Sequence, residues 1–167
     1  MEEIKTLKFK KEGGTTIDSY TTWGIVCAKV PFKAGGKTKD LAKRDWHDEH
    51  GEDVYIPDTL MLEAYDAEFE LAYKGQETAG NPFNLDLAFT KIDAFKKWLT
   101  GISNSKSTLS IYSPYAAMGR RDCYLLEISD EAPHVQTKYE RGNLYHENVV
   151  TFKVKFRVTD PITNVTL

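Results

Sequence analysis

The sequence predicts an α+β protein that is mostly β, folded as a β-sandwich or partly closed barrel with one main helix and a polar hairpin arm. Residues 150–158 alternate between apolar and polar side chains, which is typical of a strand with one buried face. Residues 65–73 show the same alternation. Between these segments, apolar side chains recur at intervals of three and four residues, which indicates an amphipathic helix over about 90–101.

Length and composition are those of one globular unit. The chain has 167 residues, 41% of them apolar, so we expect a single domain over residues 1–167 whose core needs no disulfide or metal. The net charge of -3 disfavours a protein that wraps nucleic acid through its backbone. No apolar run approaches the ~20 residues of a membrane span, and the first residues do not resemble a secretory signal.

The two cysteines, Cys27 and Cys123, each lie in an apolar, strand-like context. Buried free thiols are the favoured interpretation, and a disulfide between them is the alternative. Reduced thiols suit synthesis in the cytosol.

The N-terminal segments are predicted to be strands. Residues 4–9 alternate, and Gly13-Gly14 signals a turn after them. Residues 16–32 are rich in β-branched and aromatic side chains and predict one or two strands, with Gly24 at a bulge or close approach.

A long charged connection follows at residues 33–58, and residues 54–56 before Pro57 predict a short edge strand. Residues 60–73 predict a strand whose apolar phase changes near 64–65. That change indicates a bulge, or a segment buried on both faces.

The main helix has recognisable ends. Thr90 and Asp93 have capping-box spacing, and Gly101 is a suitable stop, although Asn84 could cap a longer helix. The predicted apolar stripe consists of Ala88, Ile92, Phe95, Leu99 and Ile102, widened by Trp98. We expect Ile92, Phe95 and Leu99 to be buried against Phe152, Val154 or Phe156.

The remaining segments complete the predicted sheet. Residues 108–112 predict a strand, and residues 123–128 a central strand covered on both faces. Turns are predicted at 116–121 and 130–133. Residues 134–139 and 143–148 flank Arg141-Gly142 and predict a polar hairpin, which must lean on the body or pair with a neighbouring chain. The tail at 162–167 is expected to be frayed.

One cluster resembles a metal site, because imidazole and carboxylate groups can bind zinc or manganese. Its members are Asp45, His47, Asp48, Glu49, His50 and Asp53. The second half of a metal motif is missing, which favours a solvated loop. Exposed aromatic residues such as Trp46 and Tyr55 would instead fit a small ligand- or carbohydrate-binding module.

Other candidates for chemistry are weaker. Arg120 and Arg121 could bind a phosphate, but a turn position favours surface or interface charges. Three tyrosines could stack on a nucleic base, although packing explains them better: Tyr112, Tyr115 and Tyr124. Motifs for an activated serine or cysteine are missing. We therefore expect no catalytic, cofactor-binding or metal-binding residues.

Six segments occur in an order that resembles a known family. They are Trp23-Gly24-Ile25, the charged loop from Arg44-Asp45-Trp46 to Gly51, the strand at 63–73, the helix at 92–99, Cys123-Tyr-Leu-Leu-Glu-Ile128, and the strand from Phe152 to Asp160-Pro161. This order is similar to that of long-tailed bacteriophage tail proteins, most of all the N-terminal domain of the distal tail (baseplate) protein family.

The resemblance implies a structural subunit without catalytic residues or cofactors. Such subunits form a homo-oligomeric ring, hexameric in the family, that joins the tail tube to the baseplate. The implied partners are other tail proteins, with no membrane and no sequence-specific nucleic acid. The implied location is the virion tail or a tail-like particle, including one of prophage origin, made in the bacterial cytoplasm. The position within the tail (distal tail, tube or terminator) stays open.

Overall fold

The computed structural model describes residues 5–74, 85–102, 106–140 and 142–167. Their elements, in chain order, are β1 (Lys8–Lys11), β2 (Ile17–Asp18), α1 (Ser19–Trp23), β3 (Ile25–Lys29), β4 (Lys43–Asp45), β5 (Glu52–Val54), β6 (Tyr65–Tyr73), α2 (Leu85–Thr100), β7 (Leu109–Ser113), β8 (Met118–Glu140) and β9 (Asn143–Val158). An antiparallel sheet has the order β2-β1-β7-β8-β9-β6-β3, and β4 and β5 form a separate two-stranded sheet. The mostly β, α+β class with one main helix is confirmed.

The core lies on the inner face of the β6–β9 pair. These strands align over nine residue pairs, from Tyr65 opposite Val158 to Tyr73 opposite Val150. Because side chains alternate between the faces of a strand, every second pair points inward. The inward pairs are all buried: Tyr65/Val158, Ala67/Phe156, Phe69/Val154, Leu71/Phe152 and Tyr73/Val150. The alternation predicted for both segments is confirmed.

Helix α2 covers this face, as predicted. Ile92, Phe95 and Leu99 are buried in the same cluster as the β9 side chains. The ring centroid of Phe95 lies 6.3 Å from that of Phe152 and 5.0 Å from that of Trp23. The expected contact between the helix stripe and β9 is thereby confirmed.

The start predicted for the helix at Thr90 is wrong, and the end predicted at Gly101 is confirmed. It begins at Leu85, so Thr90 lies inside it and is not its N-cap; Asn84 lies outside the described residues. Gly101 does end the helix, with a φ of 77° in the left-handed region. Ile102 is 72% exposed and leaves the apolar stripe, because the chain changes direction at that glycine.

Residues 16–32 contain a short helix, α1, that the sequence analysis missed. Asp18 caps it, since its Oδ1 accepts hydrogen bonds from the backbone N–H groups of Tyr20 (2.9 Å) and Thr21 (3.0 Å). Gly24 is the C-cap with a φ of 69°, so the proposed bulge at this residue is wrong.

Strand β8 is irregular along its length. Its register shifts against β7 between Leu109 and Ile111, and against β9 between Leu125 and Glu127 and between Ser129 and Ala132. The turn predicted at 130–133 is wrong: the strand continues through a bulge in which Asp130 has a φ of 56°. Cover on both faces of 123–128 is also wrong, because Tyr124 and Leu126 are exposed.

The two ends of the sheet approach each other without forming a continuous ladder. The backbone N–H of Cys27 on β3 donates to the carbonyl of Lys5, which precedes β1, at 2.9 Å. The buried hydroxyl of Ser19 accepts from the N–H of Leu7 (3.0 Å) and donates to the carbonyl of Ile25 (2.9 Å). We call this junction of residues 5–7 with β3 the seam.

The expected fraying of the C-terminal tail is wrong, because the tail is tied to β8. The N–H of Gly119 donates to Oδ1 of Asn164 at 2.8 Å, and its carbonyl accepts from the N–H of Val165 at 3.2 Å. A hydrogen bond from Arg121 Nε to Asp160 (2.7 Å) holds the preceding turn. The tail thereby occupies a part of β8 that β9 does not reach.

Smaller boundary shifts have local causes. The first strand begins at Lys8, later than predicted. The apolar phase change near 64–65 marks the start of β6, because Leu62 belongs to a separate bridge with Thr38. The edge strand predicted at 54–56 occupies Glu52–Val54 instead. The turn predicted at 116–121 ends earlier, at Ala117, and β8 begins at Met118.

Candidate assembly surfaces

The charged connection predicted at 33–58 is largely a hairpin rather than an irregular loop. At the base of this hairpin, Thr38 and Leu62 form an antiparallel β-bridge. The N–H of Lys39 donates to the carbonyl of Met61 at 2.8 Å, and the N–H of Glu63 donates to the carbonyl of Lys37 at 2.7 Å. Its outer part is the β4–β5 pair. We call residues 37–63 the charged hairpin.

The outer part of the charged hairpin is held by its own contacts. Lys43 Nζ lies 3.3 Å from a carboxylate oxygen of Glu52. Trp46 Nε1 donates to Asp53 at 3.0 Å, and the guanidinium of Arg44 lies 4.4 Å from the Trp46 ring centroid. In the described residues, the hydrogen bonds and ion pairs of residues 43–54 stay within the hairpin.

The charged hairpin also exposes several large apolar side chains to solvent. Tyr55 and Ile56 are 72% and 70% exposed, and Leu60 and Met61 are also exposed. A two-stranded sheet standing alone is marginally stable in water. Neighbouring exposed apolar groups on such an element are typical of an interaction surface.

The six residues weighed as a metal site are all in this hairpin. The structure brings no three His, Cys, Asp or Glu side chains together as a metal site within the described residues. Trp46, considered for sugar binding, already has Arg44 over its ring and Asp53 on its indole nitrogen. A ligand that stacks on the face of Trp46 next to Arg44 would have to displace the arginine.

A pocket of about 360 Å³ opens at the seam, lined among others by Lys5, Cys27, Lys29, Ser113 and Tyr115. The ammonium of Lys5 lies 4.2 Å from the Tyr115 ring centroid. None of the lining residues carries a carboxylate. Sequence analysis missed this pocket, because its lysines come from segments far apart in the chain and carry no motif.

The two arginines considered for phosphate binding have different surroundings. Arg120 is 3% exposed, not a surface charge as expected; its guanidinium donates to the carbonyls of Gly119 (3.0 Å) and Lys33 (2.9 Å). Its Nε has no hydrogen-bond partner among the described atoms. Arg121 is exposed and paired with Asp160. Arg120 therefore holds the chain at Lys33 against β8.

The polar hairpin predicted at 134–148 is continuous with the main sheet. Its backbone forms seven pairs, from His134 opposite Val149 to Glu140 opposite Asn143. β7 pairs with β8 no further than Cys123, and β6 pairs with β9 no further than Val150. Both backbone edges of this hairpin are therefore without a neighbouring strand in the part of the chain that the structure describes.

The outer face of the sheet carries matched charges. Arg157 on β9 lies 2.8 Å from Asp66 on β6. On the other side of β9, Lys155 lies 3.9 Å from Glu127, and Lys153 lies 3.5 Å from Asp130. Exposed pairs of this kind add little stability, and they leave this face of the sheet wet.

Both cysteines are free and buried, as favoured by the sequence. Burial raises the pKa of each thiol, Cys27 and Cys123, from 9.0 to about 12. Thiols with such a pKa are poor nucleophiles at neutral pH. Within the described ranges, no helix has the length and apolar character needed to cross a membrane.

The fold of this chain is similar to that of a solved structure. One similar structure is SPP1 Dit, described as a paradigm of the hub adsorption apparatus of phages that infect Gram-positive bacteria. The match covers 93% of this chain and 50% of that chain, with a TM-score of 0.55 and 12% sequence identity. The chain thus spans about half the length of SPP1 Dit, and at this identity the likeness establishes the fold alone. No family model and no curated protein sequence matches the chain.

Proposed function

We propose that this protein is a structural subunit of a phage tail or tail-like particle. It assembles into a homo-oligomeric ring, six-fold as in the family the sequence resembles, that joins the tail tube to the baseplate. The observation that carries the proposal is the fold likeness to SPP1 Dit over 93% of this chain. In this function the protein is not an enzyme and needs no cofactor or metal.

The arrangement of the chain supports a ring subunit. The buried apolar side chains of the described residues form one cluster, whose members range from Leu7 to Val158 and include residues of β1 and β3. A single core supports one domain over residues 1–167. The long hairpin at 134–148 is the arm of that domain, and its unpaired backbone edges suit contact with a neighbouring subunit. The free thiols are consistent with synthesis in the bacterial cytoplasm before incorporation into the tail.

Mass measurement tests the proposal directly. We expect light scattering after size exclusion to give a multiple of the 19.0 kDa chain that increases with protein concentration. Negative-stain electron microscopy should then show closed rings with an open centre, and class averages give their symmetry. A chain that stays monomeric at every concentration, alone and with tail-tube and baseplate proteins, contradicts the proposal.

A further inference from the structure

The charged hairpin carries more free acid than free base at its tip. Residues 44–53 contain one arginine and five carboxylates. Arg44 lies over the Trp46 ring and is the one arginine against these carboxylates, of which Asp45, Asp48 and Glu49 are exposed and form no ion pair with any described residue. The tip therefore presents carboxylates to whatever approaches it.

The seam pocket has the opposite character. Lys5 and Lys29 line it, both are exposed, and neither forms an ion pair with a described carboxylate. The carboxylate nearest in register is that of Glu70, which is opposite Lys29 across the β3–β6 pair. Glu70 is exposed and its negative charge acts on Cys27 in the pocket wall, opposite in sign to that of Lys5. Tyr115, 57% exposed, adds an apolar wall to the pocket.

These two surfaces are complementary and belong to different elements of the chain. We propose that the charged hairpin of one copy docks into the seam pocket of the next, with Asp48 and Glu49 against Lys5 and Lys29. Exposed Tyr55 and Ile56 supply the apolar part of the contact. The inference rests on the proposed ring, and it names the surfaces that form it.

The contact is heterologous, since a hairpin on one copy meets a pocket on its neighbour. Contacts of this kind generate closed rings when the rotation between copies is right. Opposite charges across such a contact speed encounter and fix the register, and salt screens them. Assembly driven by this contact should therefore weaken as ionic strength rises.

Charge reversal gives the test. We expect Lys29→Glu (pocket variant) and Asp48→Lys/Glu49→Lys (hairpin variant) each to weaken self-association about 10-fold or more at 0.15 M salt. Mixing the two variants should restore assembly, because each then offers the surface that complements the other. Lys10→Glu makes the same charge change at an exposed position of β1 outside the pocket and serves as the control.

Sedimentation velocity reads out assembly, and circular dichroism confirms that each variant is folded. Loss in both single variants with recovery in the mixture supports the docking. If the wild type assembles and either variant assembles equally well, the docking is overturned and the proposed function still stands. A wild-type chain that never assembles overturns both.

Discussion

The ammonium group of Lys11 on β1 donates a hydrogen bond to the main-chain carbonyl of Trp98, in the last turns of α2, and lies 4.5 Å from the centroid of the Trp98 indole ring. The Trp98 carbonyl also accepts a hydrogen bond from the backbone N–H of Gly101 at 3.3 Å. A cation near the last turn of a helix interacts favourably with the helix dipole. Lys11 is 6% exposed, and burial lowers the pKa of its ammonium group. Lys11 therefore connects the end of the helix to β1, which lies near one edge of the sheet.

Replacing Lys11 with methionine keeps most of its length but removes both contacts to Trp98. We expect Lys11→Met to lower the free energy of unfolding by about 1–2 kcal/mol. Urea denaturation followed by tryptophan fluorescence measures it. Lys10→Met, on the exposed face of the same strand, should change stability by less than about 0.5 kcal/mol. Equal urea midpoints for the two variants would show that the Lys11–Trp98 contact adds nothing.

Ser19 joins the two ends of the sheet through its hydroxyl. Ser19→Ala leaves the N–H of Leu7 and the carbonyl of Ile25 without this partner in a buried setting. We expect a loss of about 2–4 kcal/mol in unfolding free energy, since each unpaired buried group costs about 1–3 kcal/mol. Hydrogen exchange at Leu7 should also accelerate. The exposed Ser107→Ala variant is the matched control, and a loss no larger than in that control argues against this bridge.

Gly119 lies where the C-terminal tail crosses β8. A Cβ at this position would overlap the carbonyl oxygen of Val165 and approach that of Ile111 to 3.0 Å. Gly119→Ala should therefore release the tail and cost about 1–3 kcal/mol. Limited proteolysis should detect faster cleavage within residues 162–167. Gly35→Ala, where a Cβ would meet nothing within 4 Å, should leave both stability and proteolysis unchanged; the same behaviour in Gly119→Ala would contradict the contact.

The raised pKa values of the cysteines predict a loss of stability in alkali. In the native protein both thiols stay protonated to about pH 12, whereas in the unfolded chain they ionise from about pH 9. Stability from this source is full below pH 9 and falls as the pH rises toward 12, by up to about 1.4 kcal/mol per pH unit and per thiol. The lowered pKa of Lys11 acts in the opposite direction.

Urea midpoints measured between pH 8 and 11 check this pH dependence. The Cys27→Ala/Cys123→Ala double variant should be less stable at pH 8, because two buried side chains are shortened. Its stability should nevertheless fall less steeply above pH 9 than that of the wild type. Parallel slopes would mean that the thiols do not cause the decline.

The main layers of the fold were predictable because their residues repeat. Phe152, Val154 and Phe156 recur at every second position, which is the period of a strand. Ile92, Phe95 and Leu99 recur at intervals of three and four, which is the period of a helix, so each segment indicates its own buried face. Helix α1 has five residues, too few to show a period, although Asp18 and Gly24 at its ends are helix-capping residue types.

Features that depend on partners far along the chain were not predictable. The segment at Asp130 has the composition of a turn, yet pairing with β9 on both sides keeps it in the strand as a bulge. Residues 162–167 show no local pattern of structure, because their hydrogen bonds are formed with Gly119, which lies far away in the sequence. The seam pocket has no local sequence signal either, because Lys5 and Lys29 line the same pocket only once the two ends of the sheet have come together.

The bulges of β8 bear on protein engineering. A long regular strand with an open edge is a template for any extended chain, and natural sheets interrupt such edges to avoid fibrous aggregation. In β8 one extra residue at Leu126 and one within Asp130–Glu131 break the even spacing of backbone donors and acceptors. A redesign that deleted one residue, Asp130, to straighten the strand would therefore make this edge more prone to amyloid-like pairing.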